Sequence, residues 1–146
     1  MAVLVSRYNE VVTTRLLEGA RQCLREQGVP DARVDVIWVP GAFELAVAAE
    51  TAAATGRYAA LVALGCVIRG ETPHFEYVAG EATRGLGNVA LAHRLPIGFG
   101  VLTTENLEQA LARAGGAAGN KGYEAAEAAL TTADVLAQLT RAAPRD

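Results

Sequence analysis

Six consecutive residues, Arg69-Gly70-Glu71-Thr72-Pro73-His74, place an imidazole, a carboxylate, a hydroxyl and a helix-starting proline side by side. An apolar, strand-like run ends in this stretch, and the order of residue types predicts a helix with Thr72 at its N-cap and Pro73 at its first position. The first turn of such a helix has unsatisfied N–H groups and the positive end of the helix dipole, which together suit a phosphate. His74 would follow at the second position, where the dipole favours the neutral imidazole, a form that accepts a proton near neutral pH. An ordinary cap followed by a surface histidine has the same sequence, so the segment by itself leaves both readings open.

Two cations, Arg113 and Lys121, flank the glycine-rich turn from Gly115 to Asn120. A guanidinium grips two phosphate oxygens at once, whereas an ammonium is a mobile point charge. Taken singly, Arg113 reads better as a cation ending a helix. Lys121 is the only lysine among 13 basic residues, which hints that an ammonium is wanted there. Glu44 is either a first-turn helix acid or an acceptor for the hydroxyls of a polyol. Tyr8 and Phe99 offer flat faces at two strand ends, fit either to sandwich a heterocycle or to pack as rim. His93 falls near a helix C-terminus, where positive charge is favoured, and is given no functional role.

Other chemistries are disfavoured. Cys23 and Cys66 lie in apolar surroundings without Cys-x-x-Cys spacing and read as buried thiols. His74 and His93 are too far apart for a helical metal pair, and no carboxylate cluster accompanies them, so no metal is expected. Gly85-Leu86-Gly87-Asn88-Val89-Ala90 has the dinucleotide spacing but lies inside a helical stretch instead of a strand-to-helix turn. Its glycines read as aids to close packing, and no cofactor is expected.

The elements that must position these residues alternate along the chain. Ala2 to Val5 reads as a strand, and Leu16, Ala20, Cys23, Leu24 and Gln27 recur at helical spacing until Gly28-Val29-Pro30. Val34 to Val39 is a second strand, followed by a helical stretch from Phe43 to Thr55. Ala59 to Ile68 is apolar nearly throughout, as a strand covered on both faces should be. A helix from Pro73 to Arg94, a strand from Ile97 to Leu102, and helices from Glu105 to Ala114 and Gly122 to Leu139 complete the series before a polar tail, Thr140 to Asp146. This order predicts one domain over 1–146: a three-layer α/β sandwich with a four-stranded parallel sheet, flavodoxin-like in kind. In such folds ligands bind beyond the carboxyl ends of the strands. Those ends carry Ser6 to Asn9, Val39 to Glu44, Cys66 to His74, and Phe99 with Gly100.

Of the 146 residues, 51% are hydrophobic but only 5% aromatic, so the interior must be built mainly from Ala, Val and Leu. The net charge of −3 is scattered rather than blocked, giving no footprint for nucleic acid or an anionic membrane. No apolar run approaches the ~20 residues of a membrane helix, and no signal peptide opens the sequence, so a soluble, cytoplasmic protein is expected.

Taken together, Ser-Arg-Tyr-Asn at 6–9, Pro-Gly-Ala-Phe-Glu at 40–44, Ile-Arg-Gly-Glu-Thr-Pro-His-Phe at 68–75, Phe-Gly-Val-Leu-Thr at 99–103 and Gly-Asn-Lys-Gly at 119–122 strongly resemble the lumazine synthase family. Members condense 5-amino-6-(D-ribitylamino)uracil with 3,4-dihydroxy-2-butanone 4-phosphate, releasing phosphate and water, in riboflavin biosynthesis. The resemblance implies that Tyr8 and the backbone of Cys66, Val67 and Ile68 hold the pyrimidine, with Asn9, Ala42, Phe43 and Glu44 on the pyrimidine and its ribityl chain. It implies that Glu71 and Thr72 shape a phosphate loop and that His74 transfers protons. It also implies that Phe99, Arg113 and Lys121 come from an adjacent subunit, with Arg113 on the phosphate.

Two departures from the family pattern bear on expectation. Tyr8 stands where members often have Phe, adding a hydroxyl near the ring. Members also usually begin further upstream, with a segment that pairs onto a neighbour's sheet. The turn at Gly115 to Asn120 lacks an insertion, which suits icosahedral members. A homopentamer is therefore expected, and a sixty-subunit icosahedral shell stays open, since the turn suits one while the missing arm argues against a robust one. The rival from another class is a flavodoxin-like module that holds a flavin without chemistry. A shell protein with a dead site is disfavoured by intact His74, Glu44 and Arg113.

Overall fold

Seven of the eight residues Leu61–Ile68 are buried, the pattern of a strand enclosed by helices on both faces. A computed structural model describes residues 1–141 and makes this segment β3, the longer of the two inner strands. Around it, in chain order, lie β1 (Ala2–Ser6), α1 (Glu10–Glu26), β2 (Asp35–Val39) and α2 (Leu45–Ala54) before it. After it come α3 (His74–His93), β4 (Ile97–Thr104), α4 (Leu107–Ala112), β5 (Ala114–Gly116), β6 (Gly119–Asn120) and α5 (Lys121–Arg141). The main sheet has the order β2-β1-β3-β4, every pairing parallel.

Because strand side chains alternate in direction, the inner strands feed two separate cores. Val3, Val5, Val62, Leu64 and Cys66 join Leu16, Leu24 and Ala126 from α1 and α5. Ala2, Leu4, Leu61, Ala63 and Val67 join Leu45, Ala49, Ala82 and Leu86 from α2 and α3. The result is the three-layer, flavodoxin-like sandwich expected from the alternation of elements. Glycine sets its spacing on one side: a methyl group at Gly98 would collide with the Ala125 carbonyl of α5, and one at Gly122 with the Leu16 backbone of α1.

Several element boundaries differ from the sequence expectation for local reasons. α1 starts at Glu10, well before its first periodic apolar residue, because Asn9 adopts the left-handed conformation (φ 61) and turns the chain directly into the helix. α4 starts at Leu107 because the Asn106 side chain accepts the Gln109 N–H at 2.9 Å and caps it. β4 runs on to Thr104, whose hydroxyl donates to the Asn106 carbonyl at 3.0 Å, so a polar residue is buried there with its hydrogen bond made. Phe99 is consequently the third residue of an eight-residue edge strand, opposite Ala63, and is not at a strand end. The glycine-rich turn is a small antiparallel hairpin, β5-β6. α5 continues through Arg141, so Thr140 is helical; the rest of the expected tail, 142–146, lies outside the described residues.

Candidate functional site

The site begins with a mismatch in strand length. β1 pairs with β3 only as far as Val5 opposite Leu64, whereas β4 follows β3 to Ile68 opposite Thr104. The β1-side backbone edge of Cys66–Ile68 is thus left without a strand partner. Asn9 uses part of it: its Nδ2 donates to the Cys66 carbonyl at 3.0 Å. An asparagine tolerates positive φ better than other residues with a Cβ, so this position combines turn geometry with a brace across the sheet.

Above these strand ends opens a cleft of about 790 Å³, a volume suited to a small organic substrate. Its floor is Cys66, Val67 and Ile68; one wall comes from Tyr8 and from Pro40 to Glu44; the other from Gly70, Thr72 and α3. Tyr8 is 73% exposed and Phe43 57%, so two large aromatic faces stand open to a ligand. Glu44 ends a 3₁₀ turn, Ala42–Glu44, and its Oε1 lies over Gly41, where the missing side chain leaves room. Among the described residues its carboxylate accepts no side-chain hydrogen bond and remains free to accept one. Burial pushes the Cys66 thiol up to about 11, so at neutral pH it is an apolar floor element and not a nucleophile.

Pro73, not Thr72, is the N-cap of α3, and His74 is its first residue and not its second. The Thr72 hydroxyl makes no capping bond; the chain instead enters the helix through a tight turn in which the Glu76 N–H donates to the Pro73 carbonyl at 3.0 Å. The shift of one residue keeps His74 at the dipole's positive end. Thr72 and His74 both line the cleft, beside the first N–H groups of the helix.

Of the residues singled out in the sequence, Tyr8, Ala42, Phe43, Glu44, Cys66, Val67, Ile68, Thr72 and His74 come together here. Asn9 braces the floor without lining it, and Glu71 lies exposed in the loop between two lining residues. Phe99, Arg113 and Lys121 do not line this cleft. Phe99 sits half-exposed on the outer strand. The Lys121 N–H donates to the Arg113 carbonyl at 2.9 Å, so the hairpin joins the backbones of these two residues outside the cleft. The Arg113 guanidinium donates to the Gln109 carbonyl at 3.1 Å, the helix-end role considered for it. Lys121 pairs with Glu124 at 3.2 Å.

Sequence reasoning missed the α3 wall: Phe75, Tyr77, Val78 and Glu81 also line the cleft. Tyr77, Val78 and Glu81 lie three, four and seven residues after His74, a spacing that marks one helix face and was a usable signal; Phe75, the next residue, was not marked by it. His93, by contrast, pairs with Glu50 at 2.8 Å, away from the cleft. Gly85 does admit Ala46 of α2 at close range, while Gly87 has open space around it. Among the described residues no group of three or more His, Cys, Asp and Glu is placed to hold a metal ion, and no helix is long and apolar enough to cross a membrane.

A doubly covered parallel sheet with an aromatic-flanked cleft at its carboxyl edge, a free carboxylate and an imidazole at a helix start define a flavodoxin-like enzyme of small-molecule chemistry. Residues 1–137 match the family described as 6,7-dimethyl-8-ribityllumazine synthase. The chain belongs to that family, whose members are enzymes of riboflavin biosynthesis.

Proposed function

We propose that this chain condenses 5-amino-6-(D-ribitylamino)uracil with 3,4-dihydroxy-2-butanone 4-phosphate to give 6,7-dimethyl-8-ribityllumazine, phosphate and water. The observation that carries the reading is the cleft itself: aromatic faces, an unpaired strand edge, a free carboxylate and a helix start meet in one space of substrate size. The pyrimidine lies against Tyr8 with its polar edge on the Cys66–Ile68 backbone. Ala42, Phe43 and Glu44 take the ribityl chain, Glu44 accepting from its hydroxyls. The phosphate sits in the Glu71–Thr72 loop at the start of α3. The pyrimidine's amine attacks the ketone; imine formation, phosphate loss, ring closure and dehydration follow, with His74 moving protons. Positioning two reactants in one site is worth up to ~7–11 kcal/mol and supplies much of the acceleration.

The functional unit is one domain over 1–146, assembled in the cytoplasm as a homopentamer. Exposed Val47, Leu91 and Phe99 supply apolar surface for neighbouring copies. In the ring, Phe99, Arg113 and Lys121 of one subunit face the cleft of the next, where Arg113 exchanges the Gln109 carbonyl for phosphate oxygens. The test is direct: the purified protein is mixed with both substrates while lumazine absorbance and phosphate release are followed. Equimolar appearance of the two products is expected. Flavin binding without turnover would contradict the reading and favour a binding module.

A further inference from the structure

Arg69 leaves β3 and ties three parts of the molecule together. Its N–H donates to the Thr104 carbonyl at 2.8 Å, extending the β3-β4 ladder by one step. Its Nε donates to Glu105 Oε1 at 3.2 Å, and Nη1 lies 3.8 Å from Glu76 Oε1 in the first turn of α3. The guanidinium carbon stands 4.6 Å from the centroid of Phe75, a ring of the cleft wall. Between Arg69 and α3, the loop Gly70 to Pro73 makes no other side-chain hydrogen bond among the described residues. Beside that loop, the guanidinium bridges Glu105, just past the end of β4, to the first turn of the helix that carries His74.

We propose that Arg69 is a positioning residue: held by Glu105, it fixes Phe75 and the first turn of α3, and through them the geometry of the phosphate loop. This rests on the reading of that loop as the sugar-phosphate site. Exposed ion pairs and cation–π contacts are individually weak. Losing both in Arg69→Gln should raise KM for the sugar phosphate, and weaken inhibition by inorganic phosphate, about five- to tenfold. KM for the pyrimidine should stay within about twofold. Arg69→Lys, which keeps the charge but loses the planar fork, should fall between.

Glu105→Gln distinguishes positioning from direct contact. If Glu105 anchors Arg69, its loss loosens the loop and weakens phosphate inhibition about two- to threefold. If Arg69 itself grips phosphate, removing the competing carboxylate tightens it. Unchanged sugar-phosphate KM and phosphate inhibition in Arg69→Gln, or tighter phosphate in Glu105→Gln, overturns the proposal. Should Arg69→Gln fail to fold, Glu105→Gln decides alone. If the wild-type protein makes no lumazine, the proposed function falls, and the positioning role is then decided on the free protein. Phe75 ring resonances must shift in Arg69→Gln; unchanged resonances overturn it.

Discussion

Two regions hold the residues whose chemistry stands out, and they differ in how those residues are engaged. In the cleft, Tyr8, Phe43, Glu44, Thr72 and His74 arrive from three strand-end segments, and none of their side chains is tied to another side chain among the described residues. On the outer strand and hairpin, Arg113 and Lys121 are occupied by their own chain, and Phe99 stands exposed. The first region is a cleft formed within one chain, its polar side chains left open to a ligand. The second acquires a use, under the proposed function, only when it faces the cleft of another copy, where a phosphate replaces Gln109 and Glu124 as partner.

The strongest blow to the cleft should come from His74→Ala. A proton-transfer group contributes ~10²–10⁴-fold, and a loss of about 10²-fold in single-turnover rate is expected, with pyrimidine affinity nearly intact. An unchanged rate would leave His74 as a surface residue of the helix start. Arg113→Lys strikes the other region. It should raise KM for the sugar phosphate about tenfold and weaken phosphate inhibition in parallel, because an ammonium cannot reproduce a bidentate grip. Wild-type phosphate inhibition in that variant would restrict Arg113 to its helix-end contact.

Smaller effects probe the cleft floor. Asn9→Ala loses the bond to the Cys66 carbonyl and keeps a Cβ at positive φ, which should cost about 2 kcal/mol in a denaturant melt. Asn9→Gly loses the same bond without that strain and should cost about 1 kcal/mol less. Equal costs would mean that the turn geometry contributes nothing. Finally, because burial raises the Cys66 thiol to about 11, its thiolate is scarce at pH 8 and grows only as pH approaches that value. Alkylation of the native protein at pH 8 should therefore be slow beside the unfolded chain, as mass spectrometry would show.

The contrast also explains what could be read from sequence. The sandwich was legible because apolar period and turn residues report local physics: β3 is apolar throughout, and the stop read at Gly28-Val29-Pro30 coincides with the end of α1, Gly28 turning the chain away at φ 85. The cleft was legible because strand ends in a parallel sheet necessarily converge. What escaped depends on contacts between distant segments. The expected strand stopped at Leu102, but pairing of Thr103 and Thr104 with Val67 and Ile68 carries β4 on, which sets Phe99 further from its carboxyl end. The cap at Pro73 follows from how the helix docks on α2 and the 3₁₀ turn, which no local pattern specifies, whereas most of the α3 wall had its helical spacing as a signal. The partnership of Lys121 with Arg113 requires a hairpin that glycines permit but do not announce.

The central claim is that the two regions meet across a subunit boundary, and it can be measured by mixing. His74→Ala and Arg113→Ala proteins, each nearly inactive, are dissociated, combined in equal amounts and reassembled, with native mass spectrometry establishing that mixed rings have formed. In a head-to-tail ring, about a quarter of interfaces then join an intact His74 to a neighbour's intact Arg113. Recovery of lumazine formation towards a quarter of the wild-type rate is the expected result. Mixed rings no more active than the two parents would contradict it, and would return Phe99, Arg113 and Lys121 to the surface of a single chain.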